Sequence, residues 1–554
     1  MSADLVIRGG TVIDGTGAPG VRADVAIADG RIAEIGDGLD SGGARVLEAD
    51  GHVVTPGFID IHTHYDAQVY WDPALTPSSW HGVTSVVAGN CGFTIAPCRP
   101  EHRELIARTL HHVEDMSLPT LQAGIPWDFE SFPEYLDSVA RHGTVLNFTA
   151  YVGHTAIRLF VMGDDGYERQ PTAEELAAMA DVVREAVAAG AAGFASSSAQ
   201  THQGDGGRPV PSRLADIHEM EALVTPLREL GRGVGAFTPG ERVTHPEVYD
   251  MQKRIGRPFT WTAMLTRRGS TFAQDMAAYS AEQRAAGVDV WPQVTCRPLT
   301  FQMNMKDPFT FNMRPIFKAL MDTPIEERLA AYTDDSWRER AQVELDGAAM
   351  GAPRWNEMTI EESRDASLVG RSVADVAAER GVEPLDALLD ISVAEDLEPR
   401  FRSTLANDDF DVITDLLQQD GVLMGLSDAG AHVSQLCDAC MPTDLLGNWV
   451  REREVLTLEH AVHKLTGEPA GVYGFSGRGE LAVGNHADIA VFDPDTIAPG
   501  PVRRIRDFPA DGERLVADRP SGMRHVLVNG TPIRVDGESD PEGLAAKPGT
   551  ILRG

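Results

Sequence analysis

Residues 56–64 read Pro56-Gly57-Phe58-Ile59-Asp60-Ile61-His62-Thr63-His64. Phe58, Ile59 and Ile61 form a short apolar run bounded by Pro-Gly, the pattern of a strand buried on both faces. Side chains alternate across a strand, so His62 and His64 project from the same face. A bare His-x-His is more often a pair of satisfied polar side chains. Here the apolar lead-in places the pair at the C-terminal end of a strand, the rim at which a parallel barrel carries its chemistry. Two imidazoles on one face there can hold one metal ion.

Outward from this stretch the chain alternates strand and helix. Residues 143–153 (GTVLNFTAYVG) read as a strand. Thr172 and Glu175 have capping-box spacing, Leu176, Met179, Val183 and Val187 recur on one helical face, and Gly190 ends the helix. Residues 192–198 form the next strand. The cycle continues with helix 214–232 and strand 233–237, helix 246–255 and strand 258–265, then helix 270–286 and strand 288–294. A last apolar run, Gly421 to Ser427, leads into Asp428. Repeated βα units imply a parallel sheet covered by helices, and this many units favour a closed (β/α)8 TIM barrel over an open sheet. No GxGxxG or Walker loop follows a strand, which argues against dinucleotide- and phosphate-binding open sheets.

The two ends read differently. Asp29-Gly30 and Asn529-Gly530 each sit between alternating apolar runs, a strong hairpin signal. Strands near both termini suggest a small β-sandwich assembled from residues 1–55 and 479–554 around a barrel of 56–478. Between about 301 and 407 the βα pattern breaks: 303–314 is rich in Met, Phe and Pro, and 346–370 has no clear periodicity. This reads as an insertion at the barrel mouth, where loops carry specificity.

Forty-eight basic residues against 83 acidic ones give a formal net charge of −35. Such a surface repels nucleic acid and anionic lipid. No apolar run approaches the ~18 residues of a membrane span, and MSADLVIRGG lacks a basic leader. Five cysteines in a long chain fit free thiols in a reducing, cytoplasmic compartment. The expected partner is a small-molecule substrate, with room for a homo-oligomer.

Further motifs add to the first. His62-Thr63-His64-Tyr65-Asp66 is followed by His81-Gly82-Val83-Thr84 and Gly89-Asn90-Cys91-Gly92. Val152-Gly153-His154 with Arg158, Leu426-Ser427-Asp428-Ala429-Gly430, and the closing Gly479-Glu480-Leu481, Gly484, Ala487-Asp488 and Val491 complete the set. Together these resemble the amidohydrolase superfamily, and within it the N-acyl-D-amino-acid deacylase branch, over nearly the whole chain. The resemblance implies a zinc-dependent hydrolase cleaving a C–N amide bond. It gives Cys91 the place of a zinc ligand that other relatives fill with a carboxylated lysine. The five lysines, Lys253, Lys306, Lys318, Lys464 and Lys547, end no clear barrel strand, and thiolate is a soft ligand suited to zinc. Asp428 falls where the family has its last-strand aspartate; a carboxylate there can take a proton from water and pass it to the departing amine.

One departure bears on the metal. The family takes one histidine from the fifth strand and one from the sixth, yet 233–239 (GVGAFTP) and 259–265 (FTWTAML) contain none. Three arrangements stay open. One divalent ion sits on His62, His64 and Asp428 with Cys91; or a displaced histidine, His154, His202 or His245, completes the shell; or the site is metal-free. The first is preferred, because four ligand-type residues persist in register. The rival reading is a ligand-binding or non-hydrolytic barrel. His154, Arg297 and His432 are candidate substrate contacts, and Cys437-Asp438-Ala439-Cys440 has CxxC spacing without a second pair. A lysine-bearing segment used by relatives near the substrate is replaced by Ala263-Met264-Leu265-Thr266, so the resemblance leaves the substrate open.

Overall fold

The computed structural model describes residues 3–204, 207–312, 314–320, 323–346 and 352–553. Residues 313, 321–322 and 347–351 of the expected insertion, and Met1 and Ser2, lie outside these ranges.

The chain has a TIM-barrel-type α/β fold. Its strands are β1 (Phe58–Asp60), β2 (Val83–Ala88), β3 (Asn147–Gly153), β4 (Gly193–Ser197), β5 (Val234–Thr238), β6 (Phe259–Trp261), β7 (Val290–Val294) and β8 (Leu423–Met424). Each is hydrogen-bonded in parallel to the next in sequence, and this order forms one eight-stranded sheet. Beyond the strand ends, a parallel bridge between Thr63 and Ala429 joins the last strand to the first. Alternation explains the two cores: Ile59, Val87, Tyr151, Ala195, Ala236 and Leu423 pack together inside the barrel, while Phe58, Val86, Phe148, Phe194 and Phe237 face the helices.

The expected helices form with their caps. In helix Ala173–Ala189 the Thr172–Glu175 capping box is complete, and Gly190 ends it with φ 110°, where a side chain would be strained. Two strands are shorter than their apolar runs suggest. β6 stops at Trp261 and β8 at Met424.

Strands from both ends share one nine-stranded sheet, knitted where Val53–Pro56 pairs antiparallel with Ile489–Phe492. The two hairpins adopt the left-handed turns their sequences require, with Asp29 and Gly30 at φ 50° and 74° and Asn529 and Gly530 at 47° and 79°. Their tips touch: a Cβ on Gly530 would come 2.8 Å from Gly30 Cα.

The segment after β7 is more than a loop. Leu299–Met303 and Thr359–Glu362 flank Arg400–Ala406 in an antiparallel three-stranded sheet. With helices Ile325–Thr333, Asp335–Asp346, Val373–Arg380 and Pro384–Ala394 it encloses its own core of Met303, Phe317, Trp337, Ile360, Leu388 and Phe401. At the barrel floor, residues 549–552 run beside β3, with Phe148 N–H bonded to Thr550 O at 2.9 Å and Leu552 N–H to Phe148 O at 2.8 Å.

Candidate metal centre

The strand end carrying His62 and His64 is fixed from both sides. Thr63 N–H and Oγ1 both donate to Val87 O, at 3.1 and 3.0 Å. On the other side His64 N–H donates to Ala429 O at 2.7 Å, and Ser427 Oγ to His62 O at 2.9 Å. Asn90 Nδ2 reaches the carbonyls of Ile61, Thr63 and Val87 at 3.2, 3.3 and 3.0 Å, tying β1 to the loop after β2. Cys91 and Asp428 both lie in the left-handed region, with φ 56° and 44°. Such strain in non-glycine residues clusters where function demands a particular side-chain direction.

These constraints bring four ligand-type groups together. The ligand atoms of His62, His64 and Cys91 all lie within 4.8 Å of one another, the one such trio of His, Cys, Asp or Glu among the described residues. Asp428 Oδ1 is 3.0 Å from His62 Nε2 and 3.8 Å from His64 Nε2. Cys91 Sγ is 3.8 Å from His62 Nε2. Two imidazoles, a thiol and a carboxylate are a zinc-type donor set, so the residues present fit a divalent ion. Outer partners aim the rings. His62 Nδ1 donates to Gln293 Oε1 at 2.7 Å, and Gln293 Nε2 in turn to Thr260 Oγ1 at 3.1 Å. His64 Nδ1 lies 2.9 Å from Glu114 Oε1, a charge contact without hydrogen-bond alignment. With both Nδ1 atoms engaged, both Nε2 atoms face the shared space.

The electrostatics are those of a charged cluster. Burial disfavours the His62 imidazolium, but the charge of Asp428 and hydrogen bonds to Asp428 and Cys91 outweigh it and raise its pKa to about 10. Burial opposes the His64 imidazolium too, and Glu114, Asp428 and Cys91 carry it well above the ordinary value. Burial pushes the Cys91 thiol up; the two histidines bring it down to about 7. Burial also acts against the Asp428 carboxylate, which the histidines hold well below its ordinary range. Beneath them Asp60, largely through burial, is raised to about 6.

The remaining candidates have other surroundings. At the ends of β5 and β6 stand Thr238 and Thr262, hydroxyl to hydroxyl at 3.1 Å, with Thr238 Oγ1 also 3.5 Å from Cys91 Sγ. No displaced histidine joins the trio. His154 is fully buried, with Nδ1 on Ser196 Oγ at 2.8 Å and Nε2 on Glu219 Oε1 at 2.9 Å, beside the Arg158–Glu219 pair. His202 bonds Ser197 Oγ at 2.6 Å, and His245 packs on Trp261 and Phe272. Arg297 is engaged by Asp438 at 2.6 Å and Asp444 at 3.0 Å, leaving it no open fork for a substrate carboxylate. Cys437 and Cys440 are buried on either side of Asp438. His432, four residues past Asp428, packs edge-on against the stacked Phe301–Phe309 pair of the insertion, 5.2 and 5.1 Å from the two ring centroids.

Gln293 and Glu114 are the residues that sequence reasoning missed. Glu114 falls on the buried face of helix Arg103–Glu114 with Ile106, Leu110 and Val113, and a carboxylate on an apolar stripe is the signal that could have found it. Gln293 is the one amide in β7, buried within an otherwise apolar strand.

Comparison with known proteins agrees with this geometry. The amidohydrolase family model matches residues 45–534. An N-acyl-D-glutamate deacylase of Alcaligenes xylosoxydans xylosoxydans is 30% identical, covering 99% of this chain and 96% of its own. The crystal structure of N-acyl-D-glutamate deacylase from Bordetella bronchiseptica, complexed with zinc and a phosphonate inhibitor, is 27% identical with a TM-score of 0.67 and full coverage of both chains. A D-aminoacylase structure, described for one-metal activation and second-metal attenuation at a binuclear centre, is 26% identical with a TM-score of 0.68 over 99% of each chain. The chain belongs to the amidohydrolase family, in its D-aminoacylase-like branch, as a metal-dependent hydrolase of carbon–nitrogen bonds other than peptide bonds.

Proposed function

We propose that this chain removes the acyl group from an N-acyl amino acid, most like an N-acyl-D-amino-acid deacylase, at a centre holding one zinc ion. The carrying observation is the cluster of His62, His64, Cys91 and Asp428 beside a Thr238–Thr262 pair where the family's other two histidines are expected. His62, His64 and Cys91 would hold the ion, and Asp428 stands beside the two histidines. When bound, the ion supplies Lewis-acid polarisation of the amide carbonyl and makes water easier to deprotonate. Asp428, kept anionic by the two histidines, takes the proton from the attacking water and delivers it to the departing nitrogen. Gln293 and Glu114 keep the rings in place during this exchange. His432, packed against the stacked Phe301–Phe309 pair, meets the substrate from the insertion side.

Several features support a wider reading. The terminal sheet has an apolar cluster of its own, including Ile7, Val25, Ile27, Val54, Ile489 and Leu527, as a small β-sandwich domain of residues 1–55 and 479–554 would. All five cysteines are free, which suits a reducing, cytoplasmic setting. Among the described residues no helix is long and apolar enough to cross a membrane.

The test is metal content and turnover on the same preparation. Protein purified with divalent metals present is expected to carry about one equivalent of zinc, lost in the His62→Ala/His64→Ala variant. It should release free amino acid from a panel of N-acyl-D-amino acids. A preparation that retains no ion, or one that is loaded and turns over no panel member, overturns the proposal.

A further inference from the structure

At the opposite end of the barrel, where the strands begin, lies an open cavity of about 440 Å³ lined by Arg284, Trp291, Asp420, His463, Glu468 and Val472, among others. Its cation is built into place. Trp291 Nε1 donates to Asp289 Oδ1 at 2.7 Å, which fixes the indole, and Arg284 Cζ stacks 3.9 Å from the ring centroid. Gly421 makes room for that stack, since a Cβ there would fall 2.6 Å from Arg284 Cδ. Stacking occupies a face of the guanidinium and leaves its N–H edge free. Among the described residues no carboxylate pairs with Arg284.

Of its anions, Glu468 is held only by one long ion pair. Glu468 Oε2 is buried and accepts no hydrogen bond. Lys464 Nζ pairs with it at 3.8 Å and also donates to the carbonyls of Gln419 and Val422, at 3.3 and 3.4 Å. Asp420 adds a second carboxylate. His463 Nδ1 donates to Gly15 O at 2.7 Å, which leaves Nε2 as an acceptor.

An isolated anion would meet Asp420 and Glu468 here, and an isolated cation would meet Arg284. A molecule carrying both charges satisfies all three. We propose that this cavity binds a free α-amino acid. Its carboxylate lies on the N–H edge of Arg284, its ammonium between Glu468 and Asp420, and its side chain against Val472. The site is separate from the metal centre and does not depend on the reaction proposed there.

The probes are D-leucine and L-leucine, titrated calorimetrically into the full-length protein. At least one enantiomer is expected to bind saturably, and equally in wild type and in Asp428→Asn. Arg284→Gln and Glu468→Gln should each weaken it about tenfold or more, as should replacing leucine by leucinamide or 4-methylpentanoate, which lack one charge each. Melting curves of both variants check that the fold is intact, and Arg284→Lys should recover part of the affinity. Three results overturn the proposal: no saturable binding of either enantiomer up to about 10 mM, binding unchanged by Arg284→Gln, or binding displaced by a phosphonate amino-acid analogue seated at the metal centre.

Discussion

Protons and a metal ion compete for the same atoms at His62, His64 and Cys91. With His62 raised to about 10 and His64 raised well above its ordinary value, the carboxylates beside them favour the imidazolium form of both rings in the metal-free protein. Uptake of an ion must expel those protons. Titration in buffers of differing ionisation enthalpy is expected to show release of about two protons or more per ion at pH 7, with affinity climbing as pH rises. Proton-neutral binding would show this charge state to be wrong. The stability linkage runs the other way: the folded pKa of His62 lies above its ordinary 6.5, so this contact stabilises the metal-free fold fully below that pH and is lost as pH climbs towards about 10. Alkali therefore weakens the metal-free protein while favouring ion uptake. Asp428→Asn is expected to keep its ion and lose about 10²–10⁴-fold in kcat; unchanged turnover would remove Asp428 from the proton path. Gln293→Leu should lower metal affinity about 10–100-fold with the fold intact, read by competition against a chromogenic chelator. His62, His64, Cys91 and Asp428 could be proposed from the sequence because each sits in a motif at a strand end, and the fold brings them together. Gln293 and Glu114 belong to no motif, and their roles come only from what the fold lays beside them. For Arg297 the sequence left a substrate contact and an ordinary salt bridge about equally open, and its pairing with Asp438, 141 residues further on, favours the latter.

Elements with a sustained period were legible, and short ones were not. Helix Ala173–Ala189 repeats its apolar face over 17 residues and carries both caps, so its bounds follow from the sequence. Thr172→Ala removes the N-cap acceptor and should cost about 1 kcal/mol, seen as a lower melting temperature with turnover unchanged. The insertion hid its structure because its strand Thr359–Glu362 has only four residues, too few for alternation to show. What looked like a break in pattern is a three-stranded sheet with a separate core. Phe309 and Phe301 connect that unit to the site through His432. Replacing Phe309 by Ala should therefore raise KM several-fold while metal content and kcat stay close to wild type. A change in kcat alone would mean that the aromatic pair acts on the chemistry and not on substrate capture.

Across the whole molecule, the metal centre straddles the join between the two ends of the barrel wall. His62 and Ser427, bonded directly across that join, are 365 residues apart in the chain. On the proposed ligand set, an ion shared by His62, His64 and the Asp428 side would hold the join from within, and binding to the native state alone would stabilise it by about 2.7 kcal/mol at a hundredfold excess over Kd. Chelation should lower the melting temperature, and hydrogen exchange should quicken first at the His64 amide, which bridges to Ala429. Equal exchange with and without the ion would separate the centre from closure of the wall. The same layout has a meaning for synthesis. Three of the four donors are translated within the first hundred residues, but the fourth leaves the ribosome only after the insertion has been made. A chain ended before the last strand would therefore carry three of the four ligand-type groups but lack Asp428, the proposed proton carrier, together with the Ser427 and Ala429 contacts that fix the histidine pair.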